Sequence, residues 1–189
     1  MSHIDIYIQE LKQNTLTVKD RFGTLSIEIL YAKPSPSSWS VAENLDHLIT
    51  LNSSYFSIFK KLKSGTFQAA FVSKISFFPK ILGNMIMKSV DVNNSKKVKT
   101  FPQWQPKVQA DSKVDIIRKF EKHQAELIKY IKEMENFIEK GTIIHSPANK
   151  LIVYSLEQAI EIIIEHEKRH INQAELVWSQ IKDKEIKKG

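Results

Sequence analysis

The stretch Ser155-Leu156-Glu157-Gln158-Ala159-Ile160-Glu161-Ile162-Ile163-Ile164-Glu165-His166-Glu167-Lys168-Arg169-His170 decides the fold. It opens on a capping box: a serine whose side chain takes an early backbone N–H, and a glutamine three residues on that reaches back to the serine N–H. Ala159, Ile163, His166, His170 and Val177 then recur on one helical face. A helix with one apolar face has to bury that face against partners.

Working outward, the same signature returns upstream. Ser40-Val41-Ala42-Glu43 is a second capping box, with Trp39 placed just before it to staple onto Asn44 or its neighbours. Behind it Leu48, Leu51, Tyr55, Ile58, Phe59 and Leu62 mark a helix that fades near Ser64-Gly65. A first helix is expected from about Ile4 to Leu30, on Ile4, Ile8, Leu11, Val18, Phe22, Leu25 and Ile29, followed by a loop holding Pro34 and Pro36. A third is expected from Asp111 or Ser112 to Gly141, on Val114, Ile117, Phe120, Leu127, Ile131, Met134 and Phe137. Short strand signals stand at Thr142–Ile144 and Leu151–Tyr154. The fold expected is an all-α, up-down four-helix bundle, one domain over residues 1–189, with a helical or loop insert at 67–110 between the second and third helices.

Composition supports this. The 189 residues suffice for one domain with a real core, and 42% hydrophobic with 26% charged residues is globular usage. Only 5 glycines and 6 prolines leave room for long helices and few turns. With no cysteine, disulfides, thiolate metal sites and a cysteine nucleophile are excluded. The N-terminus lacks the pattern of a signal peptide and no apolar run is long enough to span a membrane, so the expected location is the cytoplasm. The net charge of +7 is spread along the chain with no aromatic interleaving, so neither nucleic acid nor membrane is expected as a partner.

His166 and His170, four residues apart, stack on one helix face with Cβ atoms roughly 5–6 Å apart. Two imidazoles so placed can converge on one ion, at about 2.0–2.1 Å from each nitrogen. Both sit on a core-facing stripe, where an unpaired polar ring is costly. His47, two turns into the second helix, supplies a third ligand from a facing helix. Three protein ligands leave a position for water or substrate. His166-Glu167-Lys168-Arg169-His170 also fits the H-E-x-x-H pattern of zinc proteases. The downstream glycine and third histidine of that pattern are missing, however: Gln173 and Leu176 stand there. Glu167 is expected to point off the histidine face. His123, among Glu121, Lys122 and Gln124, reads as solvated, His145 as a loop residue and His3 as part of a fraying terminus.

Trp39-Ser40-Val41-Ala42-Glu43-Asn44-Leu45-Asp46-His47-Leu48 resembles the W-S-x-x-E-x-L-x-H-L element of the DinB-like superfamily. His166 to Ala174 resembles its H-x-x-x-H-x-x-Q element, and Lys99-Thr100-Phe101-Pro102-Gln103-Trp104-Gln105-Pro106 its linker between the second and third helices. The resemblance implies a four-helix bundle that holds a divalent metal ion, most often zinc or nickel, on the positions of His47, His166 and His170. Relatives of that kind include thiol transferases and isomerases that use low-molecular-weight thiols such as bacillithiol or mycothiol.

The leading expectation is thus a metal-dependent thiol S-transferase whose partners are a small-molecule thiol and an electrophilic substrate. A metal-dependent hydrolase is the alternative enzyme; it needs a general base, for which Glu43 and Glu165 are the candidates, although Glu43 also has its capping role. A non-catalytic metal-binding or dimerisation module is the alternative outside catalysis. The insert carries Phe71, Phe77, Phe78, Ile81, Leu82 and Met85, and is expected to cover the bundle end near the metal, or else to form a homodimer interface.

Overall fold

In a computed structural model the chain is described at residues 3–69, 84, 86, 88, 100–108 and 114–186. Among these, helix α1 spans His3–Phe22, α2 Ile27–Tyr31, α3 Val41–Lys63, α4 Ile116–Lys132, α5 Glu135–Glu139 and α6 Leu156–Ile186. The all-α bundle reading is met. None of the described helices is long and apolar enough to cross a membrane.

The helix ends follow from local chemistry. Ser40 Oγ accepts the Glu43 N–H at 3.1 Å while Glu43 Oε2 accepts the Ser40 N–H at 2.8 Å. Ser155 and Gln158 make the same reciprocal pair at 3.0 and 3.1 Å. Both capping boxes therefore stand as read. At the far end of α3, Gly65 adopts φ 70°, and Thr66 N–H and Gly65 N–H bond back to the Lys61 and Leu62 carbonyls. This pairing satisfies carbonyls that a helix end would otherwise orphan.

Three boundaries differ from expectation. The first helix stops at Phe22, and Ser26, accepting the Ile29 N–H, caps a separate α2. The break falls at Gly23, where a Cβ would lie 2.5 Å from the Lys19 carbonyl oxygen. The described third helix starts at Ile116, capped by Asp115 on the Arg118 N–H, later than the Asp111 or Ser112 expected. It ends at Lys132, and a turn and α5 intervene before the Gly141 stop. Both strand signals hold: β1 (Ile143–His145) and β2 (Val153–Ser155) pair antiparallel, so His145 is a strand residue and not a loop residue.

Contacts between helices give their directions. Asp46 meets Lys119, Ser53 meets His123 and Lys63 meets Glu133, so α3 and α4 run parallel. Tyr7 meets Glu157, Asn14 meets Glu167 and Arg21 meets Glu175, so α1 and α6 run parallel. Lys19 meets Glu121, and the start of α1 packs with the end of α4, so that pair is antiparallel. The long helices thus run up, down, down, up, which corrects the alternating up-down order expected from the sequence. Only the long 67–110 connection can carry the chain from the end of α3 back to a parallel α4.

The apolar side chains form two clusters. One, near the hairpin, holds Ile8, Leu11, Phe59, Leu127, Ile131 and Ile163; the other, near α2, holds Phe22, Leu45, Leu48, Ile116, Phe120 and Ala174. Between them lies a polar layer with one residue from each long helix. Glu167 Oε2 accepts from Asn14 Nδ2 at 3.0 Å, and Oε1 accepts from Asn52 Nδ2 at 2.7 Å and Gln124 Nε2 at 2.5 Å. All four are buried.

Candidate metal centre

The capping box fixes where α3 begins, and with it the faces of Asn44, Asp46 and His47. From there His47 faces His166 and His170 on α6. Each of the three offers a ring nitrogen, and these nitrogens lie within 4.8 Å of one another. His47 Nε2 stands 3.5 Å from His166 Nε2, and the His47–His170 and His166–His170 ring centroids are 4.5 Å apart. Two nitrogens bound tetrahedrally to one ion at about 2.05 Å each sit about 3.3 Å apart. The His47–His166 spacing is within a few tenths of an ångström of that, and the whole set lies within 4.8 Å.

The remaining ring nitrogens settle the tautomers. His47 Nδ1 lies 2.6 Å from the Trp104 carbonyl oxygen, which can only accept, so Nδ1 carries the proton and Nε2 keeps its lone pair. His170 Nδ1 lies 2.9 Å from Asn44 Oδ1. Asn44 cannot be turned the other way, because its Nδ2 donates to the Ser40 carbonyl at 2.9 Å. His170 Nε2 therefore also keeps its lone pair. His166 Nδ1, sealed from solvent, has no hydrogen-bond partner among the described residues, while its Nε2 faces His47 Nε2. With Nε2 of His47 and His170 keeping their lone pairs beside His166 Nε2, the donor set fits a divalent metal.

Electrostatics agree. Burial pushes His166 down to about 3, with His47 and Arg169 adding to the effect. Burial also lowers His170 well below the usual range, helped by His166 and His47. His47 is lowered by burial, against the opposing pull of the Trp104 carbonyl and the Asp46 carboxylate. All three rings are neutral near pH 7, the form that ligates metal. Trp39 closes one side: its indole stacks on His170 at 5.7 Å and tilts against His47 at 5.0 Å. It covers the imidazoles of His47 and His170.

The other candidates lie elsewhere. Glu43 closes its capping box and pairs with Lys33 at 2.7 Å, while Glu165 pairs with Lys168 at 2.8 Å. Glu167 does point off the histidine face, but into the core, where burial raises it to about 7 against the pull of its three amide donors. Bound on both oxygens by those amides, it cannot activate water as a protease glutamate would. His123 corrects the solvated reading. It is buried, stacks on Phe56 at 5.4 Å and leaves Nε2 without a hydrogen-bond partner among the described residues. His3 bonds Glu157 at the exposed start of α1, and His145 stacks on Phe67.

Asn44, Asp46, Trp104 and the polar layer are site supports that reading the sequence missed. The signal for Asn44 was available, since it stands one turn before the core residue Leu48. The aromatic cluster of the insert, Phe71 to Met85, lies outside the described residues. Of the insert's described parts, Phe67 packs at the hairpin end and Trp104 at the histidines.

No curated protein and no solved structure matches the chain. The family model of the DinB superfamily matches residues 10–174, nearly the whole bundle and all three histidines, and the chain belongs to that superfamily.

Proposed function

We propose that the chain is a metal-dependent enzyme, a thiol S-transferase that joins a low-molecular-weight thiol to an electrophile. The observation that carries the reading is the convergence of three neutral imidazoles with two tautomers fixed from outside. His47, His166 and His170 would hold the ion, and three ligands leave a further position for a cosubstrate. A bound divalent ion supplies acidification of a coordinating thiol, which makes sulfur nucleophilic at neutral pH.

The chain's own residues do the rest. Asn44 and the Trp104 carbonyl hold two rings in their ligating tautomer. Trp39 and Trp104 wall the site and limit water. Of the three histidines only His166 is partly exposed, so cosubstrates approach along its open edge. In the transfer a carbon–sulfur bond forms, the leaving group departs with its bonding pair, and the thiol proton passes to solvent. The metal's identity, the thiol and the cytoplasmic setting belong to this proposal.

Elemental analysis and titration with zinc and nickel test the first half. One ion per chain is expected for the wild type, and a loss in each of His47→Ala, His166→Ala and His170→Ala. Equal metal content in all four proteins would overturn the site. A screen of bacillithiol-type thiols against alkylating electrophiles tests the second half. Metal retention without thiol-dependent turnover would leave a binding module instead.

A further inference from the structure

We infer that Asp46 is a positioning residue for the centre: it ties the 104–108 strap across α3 so that the Trp104 carbonyl holds the imidazole of His47. This inference rests on the metal reading for its consequence, but not for its geometry.

Asp46 and His47 are consecutive, and both grip the same strap. Asp46 Oδ2 accepts the Lys107 N–H at 2.7 Å and the Val108 N–H at 3.3 Å. Its Oδ1 accepts from Lys119 Nζ on α4 at 2.7 Å. The carboxylate is 2% exposed, so water does not compete for it. Three residues before Lys107, the Trp104 carbonyl accepts the His47 Nδ1–H at 2.6 Å. The strap is also seated by its side chains: Trp104 packs against the hairpin-side cluster and Val108 against the α2-side cluster.

The wiring has a consequence. A backbone carbonyl positions a ligand only as well as its own backbone is positioned. Residues 100–108 hold no element longer than the turn Pro102–Trp104, and no sheet ladder among the described residues fixes them. The two amides given to Asp46 are the strap's described polar anchor near His47. A charged acceptor makes stronger bonds to N–H than a neutral one. Without that anchor Trp104 is free to shift, and His47 is free to exchange tautomers and turn its lone pair out of the site. Outer groups of this kind typically change metal affinity by about 10–100-fold when removed.

Two variants attack the bond from opposite sides. Asp46→Ala removes the acceptor. Lys107→Pro removes the strongest donor from the exposed strap and leaves the bundle interior untouched; Lys107→Ala, which keeps the N–H, is its control. The first readout is metal-free: long-range proton–nitrogen spectra of the histidine rings. Wild type and Lys107→Ala should show His47 protonated at Nδ1, whereas Asp46→Ala and Lys107→Pro should populate the Nε2–H tautomer. The second is nickel affinity, expected to fall about 10–100-fold in both variants. Lys107→Ala, which keeps the N–H, should bind nickel as wild type does. An unchanged His47 spectrum in folded Lys107→Pro would overturn the inference, as would a nickel affinity in Lys107→Pro equal to that in Lys107→Ala. Failure of wild type itself to bind nickel would instead count against the proposed function, and the tautomer result would still decide the role of Asp46.

Discussion

Replacing Glu167 with alanine should cost the fold about 3–5 kcal/mol, although the residue is one carboxylate in a long helix. The figure comes from its partners. Asn14, Asn52 and Gln124 each aim an amide at it from a different helix, and all are buried. An orphaned buried donor costs about 1–3 kcal/mol, so three orphans set an upper bound near 9. Two effects pull the figure down. The carboxylate no longer has to be desolvated, and Asn52 Oδ1 and Gln124 Oε1, both without partners among the described residues, can accept from neighbouring amides after relaxation. Breaking a buried charged cluster by removing one member costs about 3–5 kcal/mol in practice, and that is the value expected. It is a large share of a total stability of about 5–15 kcal/mol. The midpoint should fall by roughly 6–20 °C, at about 2–4 °C per kcal/mol for a chain of this size. Urea and thermal unfolding followed by far-ultraviolet circular dichroism measure both. Glu167→Gln, which keeps one acceptor oxygen, should lie between wild type and alanine. A Glu167→Ala protein within about 1 kcal/mol of wild type would refute the reasoning, because the three amides would then be satisfied by something other than the carboxylate.

Zinc at a hundred times its dissociation constant should stabilise wild type by about 2.7 kcal/mol, read as a thermal shift that chelator reverses and that His166→Ala lacks. His123 is pushed down to about 4 by burial and by Lys119. As pH falls from about 6.5 towards 4 the unfolded chain takes up that proton and the folded chain does not, so stability is lost on acidification, by up to about 3 kcal/mol. His123→Phe, which keeps the stacking on Phe56, should remove that part of the acid sensitivity; identical pH profiles would contradict the assignment. Ser40→Ala should cost about 0.5–2 kcal/mol in thermal unfolding, and an unchanged midpoint would show the cap to be idle.

How much of this could be read in advance depended on whether the signal was local. Capping boxes and helical periodicity act within a few residues, so α3, α6 and the hairpin strands were legible. The three histidines were legible because two of them share one helix face and the third follows a marked helix start. The polar layer was not. Asn14, Asn52, Gln124 and Glu167 are polar and read as surface, and their partners lie on other helices. Position in the stripe betrays them all the same. Asn14 stands between Leu11 and Val18, Asn52 between Leu48 and Tyr55, and Gln124 between Phe120 and Leu127, each three or four residues from a core side chain. The misreading of His123 has the same root: Glu121 and Lys122 flank it, but Phe120 and Leu127 set its face. The alternating up-down order expected was wrong for a different reason: neither caps nor periodicity depend on which way a neighbouring helix runs.

The polar layer also bears on the metal centre, and this can be separated from stability. Apolar side chains tolerate small slides of one helix on another, since contact energy changes little as rows of Leu and Ile shift. Three amides meeting one carboxylate do so in a single register. A slide of α6 by one residue, about 1.5 Å along the axis, would break all three bonds and move His166 away from His47 by a distance comparable to a metal–nitrogen bond. His166 precedes Glu167 directly, so the layer sets the height of the histidines. Replacing Asn14, Asn52, Gln124 and Glu167 together by leucine should therefore leave the bundle about as stable as before, or more so, because apolar substitutes for a buried charged network are often neutral or better. The metal should bind at least about tenfold more weakly, as it does when the groups that orient ligands are lost. The cobalt-loaded protein should show a broadened visible spectrum from mixed ligand geometry. If the leucine variant binds zinc and cobalt as wild type does, the histidines are placed by the apolar clusters alone, and the layer serves only to satisfy itself.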